Sequence, residues 1–370
     1  MVAAASVVVA VGAVTGMLSG LDEGRGADTA RPQATRTPRL DVRPAPPVPS
    51  PAPVSPSVTA PASAEPSARP RPRTSPTRRA APAPARLYRH PDSQVLDWVR
   101  AHPSDPRTEV IASRIADQPA AVWFTDPAPD TVGARVRAVT AAAAAQGRVP
   151  VVVAYAIPGR DCGGASEGGA PDLAAYDEWI DRFAAGLGSG EVVVILEPDA
   201  IAQSDCLSAA DRAARFAALA RAGRVLKAAD PRARVYHDAG HSGWRDAARQ
   251  AALLRQAGAA DPASSDGVFS NVSNFHRTAD EIVYDRQVLD ALGGPASLGA
   301  VIDTSRNGNG APPDGAWCDP AGRKLGHAPT LRTGEARIDA YLWVKLPGES
   351  DGCQGTPGTF APAYAYDLAR

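Results

Sequence analysis

The chain has 370 residues, of which 44% are hydrophobic and 21% charged, and a formal net charge of -1. That length suits one large domain or two, and a net charge this close to zero hides an asymmetry along the chain that bears against nucleic-acid binding, whose affinity rests on neutralising phosphates. The basic residues are unevenly placed. Arg31, Arg36, Arg39, Arg43, Arg69, Arg71, Arg73, Arg78 and Arg79 crowd the N-terminal quarter, which leaves the rest acidic.

In chain order, Met1 to Leu21 carries no charge and is long enough to cross a bilayer. It lacks the basic start of an export signal, so residues 1–24 read as a signal peptide or a signal-anchor, with cleavage and anchoring both open. Residues 25–85 are rich in Pro, Ala, Arg and Ser. Such a tract has too little bulky apolar surface for a core and is expected to be a disordered, extended linker. It could tether the chain to a membrane or cell wall. Residues 86–370 form the folded unit, a size that suits a single α/β barrel of about 250 residues.

Within that unit, short β-branched runs alternate with Ala-rich stretches, the pattern of parallel α/β architecture. Strands are predicted at Ala120–Thr125, Pro150–Ala156, Glu191–Glu197, Ala233–His237, Gly267–Asn271, Ala300–Asp303 and Ala340–Lys345. Helices are predicted at Asp130–Gln146, Asp172–Leu187, Ser208–Ala228, Gly243–Ala257 and Thr278–Leu292. Val132, Val136 and Val139 share a face, and Asp172 and Ser208 have the chemistry of N-caps. Seven strands fit either a distorted barrel or an open doubly wound sheet.

The residues just past the strands carry the chemistry. Asp161, Asp199, Asp238 with His241, and Asp303 all stand at such positions, and the last strand runs into Lys345, Glu349 and Asp351. In a parallel α/β fold these ends share one face, which is where active sites lie. Asp303, taken alone, also fits a structural turn. Crowded carboxylates either bind a hard cation or keep a proton near neutrality for acid–base work. The aromatics favour the second. Trp123, Tyr155, Trp244, Trp317 and Trp343 lie at or near the same ends, although the chain has only six Trp. Flat apolar rings stack on sugar faces while carboxylates, amides and Lys bond hydroxyls. Trp343 lies within a strand and reads as core.

Other chemistries fit poorly. Gly240-His241-Ser242-Gly243-Trp244 has Trp where the nucleophile elbow needs Gly. There is no H-E-x-x-H, no phosphate loop and no dinucleotide fingerprint after a strand. The four cysteines, Cys162, Cys206, Cys318 and Cys353, form no C-x-x-C pair, and three disulfide pairings are open to them. No metal site and no cofactor are expected. Export and an extracellular location are.

The segments VVVAYAIPGRDCGGASEGG, VVVILEPDAIA, VYHDAGHSGW, FSNVSNF, VIDTSRNGNG, WCDPAGRKLG and LWVKLPGESDGC, in that order, resemble glycoside hydrolase family 6, the cellulases. The resemblance implies a distorted seven-stranded α/β barrel, inverting hydrolysis of β-1,4-glucan and the disulfides Cys162–Cys206 and Cys318–Cys353. By motif, Asp199 matches the catalytic acid and Asp161 the residue that raises its pKa and assists the attacking water. Asp351 matches the proposed base, and Asp238 a carboxylate contacting substrate near the scissile bond. Tyr155 matches a Tyr against the distorted sugar, and Ser166 a mobile-loop Ser. Trp123, His241, Trp244, Asn271, Trp317, Lys345 and Glu349 match glucan-binding positions. The short segment from Asp303 to Trp317 offers little material to roof a cleft, which favours an endoglucanase over a cellobiohydrolase. A catalytically silent glucan-binding protein and an esterase are the rival classes. A monomer is expected, with cellulose or cello-oligosaccharide as its partner.

Overall fold

The computed structural model describes residues 86–370, so the 1–24 segment and the 25–85 linker lie outside the described residues. The elements are β1 Arg86–Leu87, α1 Gln94–Ala101, α2 Thr108–Ile111, β2 Val122–Phe124, α3 Pro129–Ala145, β3 Arg148–Val149, β4 Val151–Ala154 and α4 Leu173–Ala185. They continue as β5 Val192–Leu196, α5 Ala209–Ala229, β6 Ala233–Asp238, α6 Ala247–Gln256, β7 Gly267–Ser270, α7 Thr278–Leu292, β8 Gly299–Asp303, β9 Ile338–Leu342 and α8 Pro362–Ala369. All seven predicted strands are present, as are the five predicted helices.

Seven strands form one sheet in the order β2-β4-β5-β6-β7-β8-β9, every pair parallel. The order never reverses, whereas a doubly wound sheet must reverse at its switch point. The sheet curls instead. Ala121 N–H donates to Trp343 O (2.9 Å) and the Trp123 indole to Val344 O (2.7 Å), so the two edges meet without a regular ladder. The distorted seven-stranded barrel is therefore the observed fold. β1 and β3 make a separate two-stranded pair.

Both faces of each central strand are covered, which is why these strands read as unbroken Val/Ile/Leu runs. Val192, Val194 and Leu196 pack outward with the helices, and Val193 and Ile195 pack inside the barrel with Tyr236, Phe269 and Leu342. Val132, Val136 and Val139 are all buried on α3. Asp172 and Ser208 cap α4 and α5, accepting from Ala175 N (2.8 Å) and Asp211 N (3.1 Å).

Two boundaries differ from the sequence reading in ways that shape the site. α6 starts at Ala247 rather than Gly243, because Asp246 is the residue that caps it (Arg249 N, 2.9 Å). That frees His241 to Arg245 as a loop. β9 stops at Leu342 because Trp343 and Val344 turn away to bond the β2 edge. The sequence reading did not include α1, the π-turn Ala112–Ala116 that follows α2, or α8. These three pack together around Trp343, which is a core residue as expected.

Candidate active site

The C-terminal ends of the strands open into a trough of about 990 Å³. Of the predicted residues, Trp123, Tyr155, Asp161, Ser166, Asp199, His241, Trp244, Trp317, Lys345, Glu349 and Asp351 line it. Asp238 and Asn271 do not.

Asp199 follows β5 through Glu197 and Pro198, and both Glu197 (φ 51°) and Asp199 (φ 69°) sit in the left-handed region. Non-glycine residues pay for that conformation, so such strain clusters where function requires it. Glu197 is fully buried, and its carboxylate accepts from Ala156 N and Ile157 N at 3.0 Å. It therefore clasps the start of the loop that leads to Asp161 onto the strand that leads to Asp199. Burial, then the charges of Asp238 and Asp161, push the Asp199 carboxyl well above the usual range. A carboxyl so placed keeps its proton where an ordinary one has lost it, which is what a general acid needs.

Asp238 corrects the expectation of a substrate contact. It is 2% exposed, and its oxygens accept from Ala202 N (2.8 Å), Ile201 N (3.2 Å) and Gly240 N (2.8 Å). It ties down the turn just after Asp199 and acts on Asp199 by charge. Asn271 is likewise internal. Its amide donates to Asp303 O and His276 O and accepts from His276 N, which shapes the 271–276 loop. Asn274, from the same loop, lines the trough instead. Asp303 is the structural turn that was open to it, accepting from Lys345 N and Ser305 N.

Asp161 (φ 56°) leads a tight loop in which its Oδ2 accepts from both Ser166 N (2.8 Å) and Ser166 Oγ (2.9 Å). Ser166 Oγ also meets Tyr155 OH at 3.0 Å. The loop folds back because Gly164 has no Cβ; one there would lie 2.5 Å from Asp161 Oδ2. The disulfide Cys162–Cys206 links this loop to the segment beyond Asp199, as the resemblance implied, and Cys318–Cys353 is the other pair.

Asp351 faces the trough from the opposite side of the sheet's order. Its Oδ1 bonds Lys345 Nζ (3.0 Å), and its Oδ2 accepts from Arg306 (2.6 Å) and Asp319 N (3.1 Å). Arg306 is completely buried, with its guanidinium 4.4 Å from the Phe275 ring centroid. Sequence reasoning missed Arg306, Asp319 and Glu197. An Arg directly past a strand end in the DTSRNGNG run was the available signal for the first.

The walls are aromatic. Trp123 and Tyr155 meet edge to face at 5.2 Å, Trp244 leans on His241 at 5.2 Å, and Trp317 is 60% exposed. Burial and the stacked His276 ring 4.2 Å away hold the His241 pKa down to about 3, so it is a neutral hydrogen-bonding group. Burial raises Glu349 to about 7 against the pull of Lys345 and of Gln94, which donates to it at 2.9 Å. Among the described residues no three metal-ligating side chains converge. The site combines a proton-bearing carboxyl, a charge-paired carboxylate and stacking rings in one groove.

A family model described as glycosyl hydrolases family 6 matches residues 84–366. The chain is 52% identical over 284 residues to Endoglucanase 1 of Streptomyces sp. (strain KSM-9), covering 76% of this chain and 77% of that protein. It is 28% identical over 311 residues to Exoglucanase-6A of Humicola insolens, covering 71% of this chain and 63% of that one. It matches the endoglucanase Cel6 of Mycobacterium tuberculosis, solved in complex with methyl-cellobiosyl-4-deoxy-4-thio-β-D-cellobioside, at 41% identity with a TM-score of 0.71. That match covers 77% of this chain and 97% of the other.

Proposed function

The chain belongs to glycosyl hydrolases family 6, and on that premise we propose that it cuts internal β-1,4-glucosidic bonds of cellulose with inversion. The observation that carries this reading is Asp199, proton-bearing by burial and by two neighbouring carboxylates, at the floor of an aromatic-walled trough. Asp199 gives its proton to the leaving glycosidic oxygen. Water attacks the anomeric carbon from the far face, and Asp351 takes the water's proton on Oδ1, which is shared with Lys345 alone. Its other oxygen is occupied by Arg306 and the Asp319 amide. Inversion needs the two carboxyls about 6.5–9.5 Å apart, with room for that water. Asp161, bonded to Ser166 and through it to Tyr155, holds the loop against the reacting sugar and keeps Asp199 protonated.

Two observations favour internal over terminal cutting. Trp317 stands uncovered at the rim, where a roofed tunnel would bury it, and the relative at 52% identity is named an endoglucanase. The experiment is a viscosity and reducing-end assay on carboxymethylcellulose, paired with anomer detection on cellohexaose. Endo cutting drops viscosity early and yields α-anomers. Cellobiose released from chain ends points to a cellobiohydrolase, and no new reducing ends to a silent binder. The uncharged Met1–Leu21 segment and the two disulfides support export, with the linker as spacer or tether. Full-length chain free in the medium would remove the tether.

A further inference from the structure

The loop that carries Asp351 has no helix or strand of its own from Asp351 to Thr356. What shapes it is Asp319, a 5% exposed side chain two residues past Trp317. Asp319 Oδ1 accepts from Asp351 N at 2.7 Å. Asp319 Oδ2 accepts from Ser350 Oγ (2.5 Å), Gln354 N (2.9 Å) and Cys353 N (3.0 Å). The Asp319 N–H in turn donates to Asp351 Oδ2. Burial alone would push the Asp319 carboxyl up, but the bonds from Ser350, Asp351, Gln354 and Cys353 hold it below the usual range.

We infer that Asp319 is a positioning residue for the reaction: through its carboxylate and its own amide it fixes both the backbone and the side-chain oxygen of Asp351. The inference rests on the hydrolase reading above, since it is the use of Asp351 that makes its aim matter. The disulfide Cys318–Cys353 joins the same two segments, but a covalent link between neighbours sets no direction for the Asp351 carboxylate. Asp319 sets it.

The chemistry requires a carboxylate. Both oxygens face donors, so an asparagine must turn its NH2 toward one set of them. Keeping the carbonyl oxygen on Ser350, Cys353 and Gln354 leaves the NH2 against the Asp351 N–H, donor against donor. Asp319→Asn therefore releases the Asp351 backbone N–H selectively, while the disulfide keeps the loop attached.

The test reads kinetics and amide exchange on the full chain. With the reacting groups displaced by about 1 Å, kcat of Asp319→Asn on soluble glucan should fall about a hundredfold, with KM within about twofold of the parent. The defect should be as large on a 2,4-dinitrophenyl cellobioside, whose leaving group needs no acid, because the fault lies on the water side. Hydrogen exchange should speed up at Asp351, Cys353 and Gln354 and not in the central strands. Should that variant fail to fold, Ser350→Ala removes one bond to the same carboxylate and should lower kcat severalfold with KM held. An unchanged kcat in whichever variant folds overturns the inference, as does full recovery on the activated substrate. If the parent chain hydrolyses no glucan the hydrolase reading fails, and the exchange pattern still decides whether Asp319 orders the loop.

Discussion

Replacing Asp238 with Asn separates charge from shape at the centre of the site. The carboxylate accepts three backbone N–H groups, two on Oδ2 and one on Oδ1. An amide that keeps its oxygen on Ile201 and Ala202 turns its NH2 against Gly240 N–H. One bond to a charged acceptor is lost and a buried donor is left unpaired, which costs about 1–3 kcal/mol. Part of that is recovered, because burial has already made the Asp238 carboxylate expensive, with its pKa raised to about 6. At about 2–4 °C per kcal/mol that cost corresponds to a melting temperature lower by roughly 2–12 °C, and the recovery places the expected value in the lower half of that range. The second effect is on Asp199. After burial, Asp238 is the next cause holding that carboxyl up, so neutralising it favours ionised Asp199 and lowers its pKa. An acid works only while protonated, so the alkaline limb of the kcat–pH profile moves to lower pH. The assay is thermal unfolding together with kcat on soluble glucan at a series of pH values. An alkaline limb that stays in place, with KM raised instead, would restore Asp238 to sugar binding and refute the reasoning.

Asp199→Ala should lower turnover of unactivated glucan by about 10²–10⁴-fold and that of a dinitrophenyl cellobioside far less; equal losses on both would remove Asp199 as the acid. Trp317→Ala should raise KM on long glucans about threefold to tenfold at unchanged melting temperature, since the exposed ring has a sugar to lose and no core. Gly164→Ala should cut kcat with little change in stability. The Gly164 φ of -77° accepts alanine, so only the clash with Asp161 is felt, and normal activity would show that the loop is pliable there. Glu349→Gln should change how stability depends on pH. The folded pKa of Glu349 is raised to about 7, so its contribution is full below the ordinary carboxyl pKa and is lost as pH rises through 7. The variant should therefore gain on the parent between pH 4.5 and 7 in unfolding experiments, and a constant gap across that window contradicts the shift.

The strands were legible because a sheet covered on both faces must be written as continuous β-branched runs, and Val192–Leu196 is such a run. The face that carries the site followed from parallel topology, and most of its lining followed with it. What sequence could not distinguish is a strand-end Asp that faces solvent from one that faces backbone. Asp161 and Asp238 look alike as letters, yet two amides from the turn past Asp199 and one from its own turn converge on Asp238. The same holds for Asn271, whose partners are carbonyls 5 and 32 residues away. α1 was missed although Val95, Trp98 and Val99 share one helical face, because a stripe only eight residues long beside a Pro-rich tract is easily passed over. Arg306 and Asp319 act through other residues, and pairing of that kind appears only when distant loops meet.

The seam between β2 and β9 gives the barrel a direction of compliance. The strands bearing Asp199 and Asp238 lie mid-sheet, laddered on both sides, whereas Trp123 and the Lys345–Asp351 segment straddle a join made by an isolated amide and an indole. A load on the groove walls would be taken up first at that join, where no regular ladder resists it, and the walls there would part before the mid-sheet strands do. The proton donor, anchored in the rigid half, keeps its aim as they part.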